Sequence, residues 1–138
     1  MDSAELVRRY FSEIVDGRSD DLASVFHPDC TVHRADLPEP IRGIEQLGRF
    51  FLVSRFTIRQ TTTTIDAVIT SGDTAAARVR HRVTFARPLS TPMGPVDAEG
   101  RTVEWAAMAW FRIADGRIAE EWVQRDEVAI FRQLGVVP

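Results

Sequence analysis

Hydrophobic residues recur at a helical spacing through the first half of the chain and alternate with polar residues in the second half. Near the N-terminus the apolar positions follow the period of a helix, which Asp2 and Glu5 would cap and Gly17 would end. These apolar positions are Leu6, Val7, Tyr10, Phe11, Ile14 and Val15. The pattern also predicts a short helix over residues 19–26, which Pro28 would end.

A third helix is predicted over residues 44–54, after a short strand at residues 30–33. Its apolar face consists of Ile44, Leu47, Phe50 and Phe51. After Asp126 the apolar spacing becomes helical again, and Gly135 would end this last helix. Its apolar residues are Val128, Phe131 and Leu134.

The second half of the chain is predicted to consist mainly of strands, separated by turns at Ser71-Gly72-Asp73 and Asp115-Gly116. The strands span residues 57–70, 74–87, 101–113 and 117–126. The third of these is apolar on both faces, so we expect it to be central and covered on both sides. The segment 88–100 contains three prolines and is predicted to be a loop that forms a rim or a lid.

An order of helices followed by strands indicates an α+β fold. A curled sheet covered by helices on one face forms a cone with an apolar opening, which is the shape of a small-molecule site. A chain of 138 residues is long enough to bury one core, and we expect a single domain over residues 1–138.

The composition argues against several classes of function. A formal net charge of −3 gives no basic surface for nucleic acid. Cys30 is the only cysteine, so neither an intrachain disulfide nor a thiolate metal cluster is expected. The N-terminus lacks the apolar core of a signal peptide, and no apolar run approaches the ~20 residues that span a bilayer. We therefore expect a soluble, cytoplasmic protein without nucleic-acid or membrane partners.

The predicted strand over residues 117–126 carries the most candidate chemistry. Because side chains alternate between the two faces of a strand, its even-numbered residues are expected to share one face. They are Ile118, Glu120, Trp122, Gln124 and Asp126. Trp122 would form an apolar wall, and Gln124 would orient a substrate oxygen. Asp126 has two interpretations, because it suits the N-cap of the last helix and also a base whose pKa apolar neighbours would raise.

Two histidines are candidate donors to a substrate oxygen on which negative charge develops. His81 is alone on an otherwise apolar strand face, a position that also suits a hydrogen-bonded core residue. His33 ends a short strand, where the mouth of a pocket would lie, and is the preferred candidate for the acid.

Aromatic residues supply the other predicted substrate contacts. Trp105 and Trp110 point to opposite faces of their strand, so at most one lines the cavity, and we expect Trp105 there with Phe11 and Phe50. The chain has no Gly-rich phosphate loop, nucleophile elbow or HExxH motif, and its three histidines are scattered. Cofactor-free acid–base chemistry without a metal is the expectation.

A pattern of acidic, aromatic and turn residues runs from residue 115 to residue 135. It consists of Asp115, Gly116, Arg117, Ile118, Glu120, Trp122, Asp126, Gln133, Leu134 and Gly135. This pattern resembles that of the SnoaL-like polyketide cyclase family, in the nuclear transport factor 2-like (cystatin-like) group of cone-shaped folds. The resemblance implies a curved mixed or antiparallel sheet around N-terminal helices, an aspartate base at Asp126 and a histidine at His33. It also implies a homodimer through the outer sheet face, where Arg78, Arg80 and Arg82 are expected.

The sequence departs from this family in one place and from a related one in another. Cyclases of the family place a histidine partner of the aspartate on the penultimate strand, and no histidine occurs between Glu104 and Arg112. The related limonene-epoxide hydrolases use an Asp-Arg-Asp arrangement with Arg and Asp two apart on a strand. The corresponding segment here is Arg78-Val79-Arg80, with an arginine in place of the acid.

The leading hypothesis is an enzyme that deprotonates a carbon next to a carbonyl in a hydrophobic, polyketide-like molecule. An intramolecular aldol cyclisation would follow, with Asp126 as base. The alternatives are a non-catalytic binding domain of the same shape, or an isomerase, dehydratase or epoxide hydrolase.

Overall fold

The structure, a computed structural model, describes residues 2–138 and has an α+β architecture. The helices are α1 at Ser3–Arg9, α2 at Gly43–Thr57 and α3 at Glu127–Gln133. The strands are β1 at Phe26–Arg34, β2 at Ile41–Arg42, β3 at Ile58–Ser71, β4 at Thr74–Phe85, β5 at Leu89–Thr91, β6 at Gly94–Val96, β7 at Thr102–Ala114 and β8 at Arg117–Arg125. The predicted α+β class is confirmed.

Six strands form one curved sheet in the order β2-β1-β8-β7-β4-β3. Strands β1 and β8 pair in parallel, and the other neighbours are antiparallel, so the sheet is mixed. Strand β7 is in the middle of the long antiparallel part, between β8 and β4. The turn between β7 and β8 has positive φ at Asp115 and Gly116, as the predicted hairpin turn requires.

The N-terminal helix begins with the predicted capping box, in which the Glu5 backbone N–H donates to the Asp2 carboxylate over 2.8 Å. After α1 the chain continues as a π-helical turn over Tyr10–Val15. The apolar face of this segment is buried against the concave side of the sheet. The aromatic ring of Phe111 on β7 is fully buried there, edge-on to Tyr10 and Phe11.

The predicted second helix over residues 19–26 is wrong in most of its length. Only a 3₁₀ turn over Leu22–Ser24 forms, and Phe26 already belongs to β1. Phe26 pairs with Ile118 of β8 and is completely buried. A helix of eight residues has little stability of its own, so strand pairing and burial decide the conformation of this segment.

The outer face of the central strand β7 is exposed, contrary to the expectation of cover on both sides. Its outward residues include Met108 and Trp110, which are 63% and 54% exposed.

The segment 88–100 differs from the predicted loop, because it contains the β5-β6 hairpin. Leu89, Ser90, Thr91 and Pro92 of this segment border the cavity described below.

A β-bulge in β8 determines which residues of this strand face inward. Arg112 of β7 pairs with Glu120, whereas the next residue, Ile113, pairs with Ile118. Ala119 is therefore an extra residue in β8, and the alternation of faces shifts by one position across it. Ile118 and Glu121 are both buried, and Glu120 lies on the outer face between them.

No helix among residues 2–138 combines the length and the apolar character needed to cross a membrane.

Candidate active site

A cavity of about 480 Å³ opens between the helices and the concave side of the sheet. Four residues predicted to act in the site line it. They are Phe11, Phe50, His81 and Trp105. Aliphatic and aromatic side chains form most of the wall, while a few polar groups project from the strand ends and the strand interior. An apolar cavity with few polar groups is typical of a small-molecule site.

The most deeply buried polar group of the cavity is the carboxyl of Glu121 on β8, which is 1% exposed. Its Oε1 accepts a hydrogen bond of 2.9 Å from the hydroxyl of Tyr10, on the π-helical turn. Its Oε2 has no hydrogen-bond partner among the residues that the structure describes. A buried carboxyl oxygen without a partner is costly, so such groups are often functional.

Burial shifts the protonation of both groups in this pair. It raises the pKa of Glu121 to about 7, against the lowering effects of the Tyr10 hydrogen bond and the charge of Arg34. Burial and the nearby Glu121 carboxylate raise the pKa of Tyr10 well above its usual value. Glu121 can therefore give up and accept a proton near neutral pH, whereas Tyr10 remains a hydrogen-bond donor.

Two arginines and two acids add a charged cluster to the cavity wall. Arg34 and Arg125 both pair with Asp36, at 3.0 Å and 3.3 Å, and Arg125 also contacts Glu127. Burial alone would raise the pKa of Asp36, but the two guanidinium charges hold it below its usual value. In each arginine the Nη1 atom has no partner among residues 2–138, so it is available to a ligand oxygen.

The imidazole of His81 lies on the wall between the rings of Phe11 and Trp105. Its Nδ1 is 2.8 Å from the hydroxyl of Thr63, directly across from it on β3. Burial and the charges of Arg34 and Arg125 lower the pKa of His81 to about 4. His81 is therefore a neutral imidazole at pH 7.

The prediction that Trp122, Gln124 and Asp126 line the cavity is wrong. The bulge at Ala119 turns the even-numbered residues that follow it in β8 outward, and Trp122 pairs with Trp110 on the outer sheet face. Asp126 is exposed and caps α3, where its carboxylate accepts a hydrogen bond of 3.0 Å from the Ala129 backbone N–H. A catalytic role for Asp126 stays a prediction, and this geometry favours the capping interpretation.

His33 also points away from the cavity. Its ring stacks on Trp122 with a centroid distance of 5.2 Å, and its Nε2 is 2.6 Å from Glu120 on the outer face. The position expected for a donor at the pocket mouth is occupied instead by its neighbour Arg34, because β1 alternates like any strand.

The sequence contained a signal for the bulge that reverses β8. Ile118 and Val123 are both apolar but five residues apart, so an unbroken strand would place them on opposite faces. Both pack against the core, which requires one extra residue between them. With that extra residue, the odd-numbered positions after the bulge face inward. This reasoning would have placed Glu121 and Arg125 in the cavity.

The outer face carries the arginines expected there. Arg80 pairs with Asp66 at 2.9 Å, and Arg82 pairs with Glu104 of the neighbouring strand at 2.7 Å. Both arginines and Arg78 are exposed and lie away from the cavity, so the segment compared with the epoxide hydrolases contributes only Val79 to its wall.

Within residues 2–138, no three His, Cys, Asp or Glu side chains are grouped so that they could hold a metal ion. The cavity groups that can meet a ligand through hydrogen bonds or charge include those of Glu121, Arg34, Arg125 and His81.

Comparison with solved structures shows the same fold in several bacterial proteins. TsrD from Streptomyces laurentii has 24% sequence identity and a TM-score of 0.80, with 99% of each chain covered. IdmH, a putative polyketide cyclase from Streptomyces antibioticus, has 25% identity and a TM-score of 0.78, with 96% of this chain and 98% of that chain covered. A Catenulispora acidiphila protein with a ketosteroid isomerase-like fold has 14% identity and a TM-score of 0.78, with 99% of this chain and 96% of that one covered.

No curated protein sequence matches the chain at a significant level. The family model described as a SnoaL-like domain matches residues 7–121, from the first helix to the buried carboxyl of β8. The match therefore covers the helices on the concave face and most of the sheet around the cavity. The resemblance stated from residues 115–135 and the fold inferred from it are confirmed, and the chain belongs to the SnoaL-like family.

Proposed function

We propose that this protein is an acid–base enzyme that acts on a hydrophobic, polyketide-like small molecule without a cofactor. The observation that carries the proposal is Glu121, a fully buried carboxyl on the cavity wall with a pKa of about 7 and one oxygen free of partners among the described residues. Such a base suits proton abstraction at neutral pH, because a general base is most effective when its pKa is close to the operating pH.

The proposed reaction begins with transfer of a proton from a carbon next to a carbonyl to Glu121. The carbonyl group then becomes an enolate, whose oxygen Arg34 or Arg125 stabilises through its Nη1. The enolate carbon attacks a second carbonyl of the same molecule, a carbon–carbon bond forms, and the new alkoxide takes the proton back from Glu121. No atoms are gained or lost, so the product is a cyclic isomer of the substrate.

The same base would support isomerisation, if the proton returned to a different carbon, or dehydration, if the new hydroxyl were expelled. The family membership and the similarity to IdmH, described as a putative polyketide cyclase, favour cyclisation among these. A binding domain of the same shape is the alternative. It explains the apolar wall but does not need a carboxyl that ionises near pH 7.

Proton abstraction and binding can be separated with one set of probes. In heavy water, 1-tetralone, steroid ketones and aromatic polyketides are incubated with the protein, and deuterium uptake at the α-carbon is followed by mass spectrometry. The variant W110F/W122F leaves Trp105 on the cavity wall as the sole tryptophan, so quenching of its fluorescence reports binding. We expect both quenching and accelerated exchange. Quenching without exchange would support the binding domain and contradict the enzyme.

We also propose that two copies associate through the outer face of the sheet. A continuous row crosses five strands there, because each residue pairs with the next. The row is Ile69, Ala76, Trp110, Trp122 and His33. Ile69, Trp110 and Trp122 of this row are exposed. Exposed apolar residues that cluster on a surface are typical of interaction sites, and a sheet face can meet its own copy about a two-fold axis.

The variant Trp110→Glu should therefore be monomeric, because the dimer would bury a charge in the middle of this row. Sedimentation velocity at micromolar concentration should show a dimer for the unchanged protein and a monomer for the variant. Leu52→Glu is a matched control, since Leu52 is a similarly exposed apolar residue on α2, outside the patch. A monomeric unchanged protein, or a dimeric Trp110→Glu variant, would contradict the proposal.

A further inference from the structure

Three polar side chains from different parts of the chain form a hydrogen-bonded series that ends on the cavity wall. Asp16 follows the π-helical turn, Thr63 is on β3 and His81 is on β4. The Thr63 hydroxyl donates to Asp16 Oδ1 over 2.7 Å, and the Thr63 backbone N–H donates to Asp16 Oδ2 over 3.2 Å. The same hydroxyl oxygen is 2.8 Å from Nδ1 of His81.

The direction of the last hydrogen bond depends on whether Asp16 is ionised. Burial raises the pKa of Asp16, while the two hydrogen bonds from Thr63 and the charge of Arg18 oppose this shift. A threonine hydroxyl has one hydrogen, and an ionised carboxylate can only accept. If the hydroxyl gives its hydrogen to Asp16, the threonine oxygen must accept from Nδ1–H of His81. The reverse direction requires a protonated Asp16 carboxyl that donates to the threonine oxygen.

The other nitrogen of the ring, Nε2, has no hydrogen-bond partner among residues 2–138, and the ring lines the cavity. A neutral imidazole with its proton on Nδ1 carries a lone pair on Nε2. His81 is neutral at pH 7, because burial and the charges of Arg34 and Arg125 lower its pKa to about 4. In that tautomer the wall offers an acceptor at this point, in contrast to the donors of Arg34 and Arg125.

We propose that Asp16 and Thr63 hold His81 as the Nδ1–H tautomer, so that Nε2 accepts a hydrogen bond from a hydroxyl group of the ligand. The inference rests on the proposed function only in taking the cavity as the ligand site. It deepens that function by naming the ligand class: aromatic or enolic compounds with a free hydroxyl, as opposed to those with a carbonyl or an ether at this position. A carbonyl or ether oxygen beside Nε2 would leave two acceptors facing each other without a proton.

The tautomer is measured directly by long-range ¹H–¹⁵N NMR on the labelled protein at pH 7, with the His81 signals assigned from their loss in His81→Gln. We expect a pyrrole-like shift for Nδ1 and a pyridine-like shift for Nε2. Thr63→Val keeps the shape but removes the acceptor, so it should lose this preference, and Thr63→Ser should restore it. A proton on Nε2 in the unchanged protein would overturn the inference.

The ligand class is tested with 1-naphthol and its methyl ether, 1-methoxynaphthalene, by quenching of Trp105 in the W110F/W122F background. We expect 1-naphthol to bind ~10-fold more tightly than the ether, the scale of one hydrogen bond, and the difference to shrink in Thr63→Val. Equal affinities, or no binding of either probe, would overturn the assignment of hydroxyl ligands. The NMR measurement of the His81 tautomer does not depend on turnover. A wrong tautomer assignment and an absence of deuterium exchange are therefore distinguishable results.

Discussion

Glu121→Gln should lower the rate of deuterium exchange or cyclisation by ~100-fold or more, the usual scale for loss of a general base. Glutamine has nearly the same shape and can still accept the hydrogen bond from Tyr10, but it cannot take up a proton. Quenching of Trp105 should be retained, because the apolar wall is unchanged. In the unchanged protein kcat/KM should rise with pH through about 7, where Glu121 becomes ionised, and this rise should be absent from the variant.

The neighbouring residue provides a matched control. Glu120→Gln makes the same chemical change one position away, on the outer face of the same strand, and should leave the exchange rate within a few-fold of the unchanged protein. Asp126→Asn should be nearly silent as well, because asparagine is as good an N-cap as aspartate. If Asp126→Asn abolished exchange and Glu121→Gln did not, Asp126 would be the base and the proposed role of Glu121 would be refuted.

Glu121 should also make the protein less stable as the pH rises. An unfolded glutamate has a pKa near 4.5, and the folded value is about 7, so between these values the folded state binds the proton that the unfolded chain releases. The favourable contribution is complete below pH 4.5 and is lost as the pH rises through 7. Relative to Glu121→Gln, the free energy of unfolding of the unchanged protein should fall by about 3 kcal/mol between pH 4.5 and pH 8.

The comparison with the variant is essential, because His81 acts in the opposite direction. Its pKa is about 4 in the folded protein, below the usual 6.5, so its contribution to stability grows as the pH rises over that interval. The two effects partly cancel in the unchanged protein but not in the difference between the two proteins. Urea unfolding of both proteins at several pH values measures that difference, and a value independent of pH would show that Glu121 ionises normally.

Local patterns in the sequence were sufficient to predict the class of fold. The capping box at Asp2 and Glu5, the apolar period of α1 and α2 and the turn at Asp115-Gly116 depend only on nearby residues, and all are present in the structure. The alternation along β4 correctly placed His81 inward and the arginines outward, because that strand has no bulge on the stretch between Ala75 and Phe85.

Within the site, the sequence by itself determined that Phe11, Phe50 and Trp105 line the cavity, since these three positions follow from simple periodicity. The tertiary structure alone decided which titratable groups line the cavity. One bulged residue, Ala119, exchanged the faces of β8 and brought Glu121 inward in place of Trp122 and Asp126. The pairing of that carboxyl with Tyr10 joins residues 111 positions apart, and its raised pKa results from burial by the whole fold. The spacing of Ile118 and Val123 indicates an extra residue in β8 but not its position, and the desolvated environment of Glu121 is not encoded in that spacing, because it depends on what the rest of the chain packs against the strand.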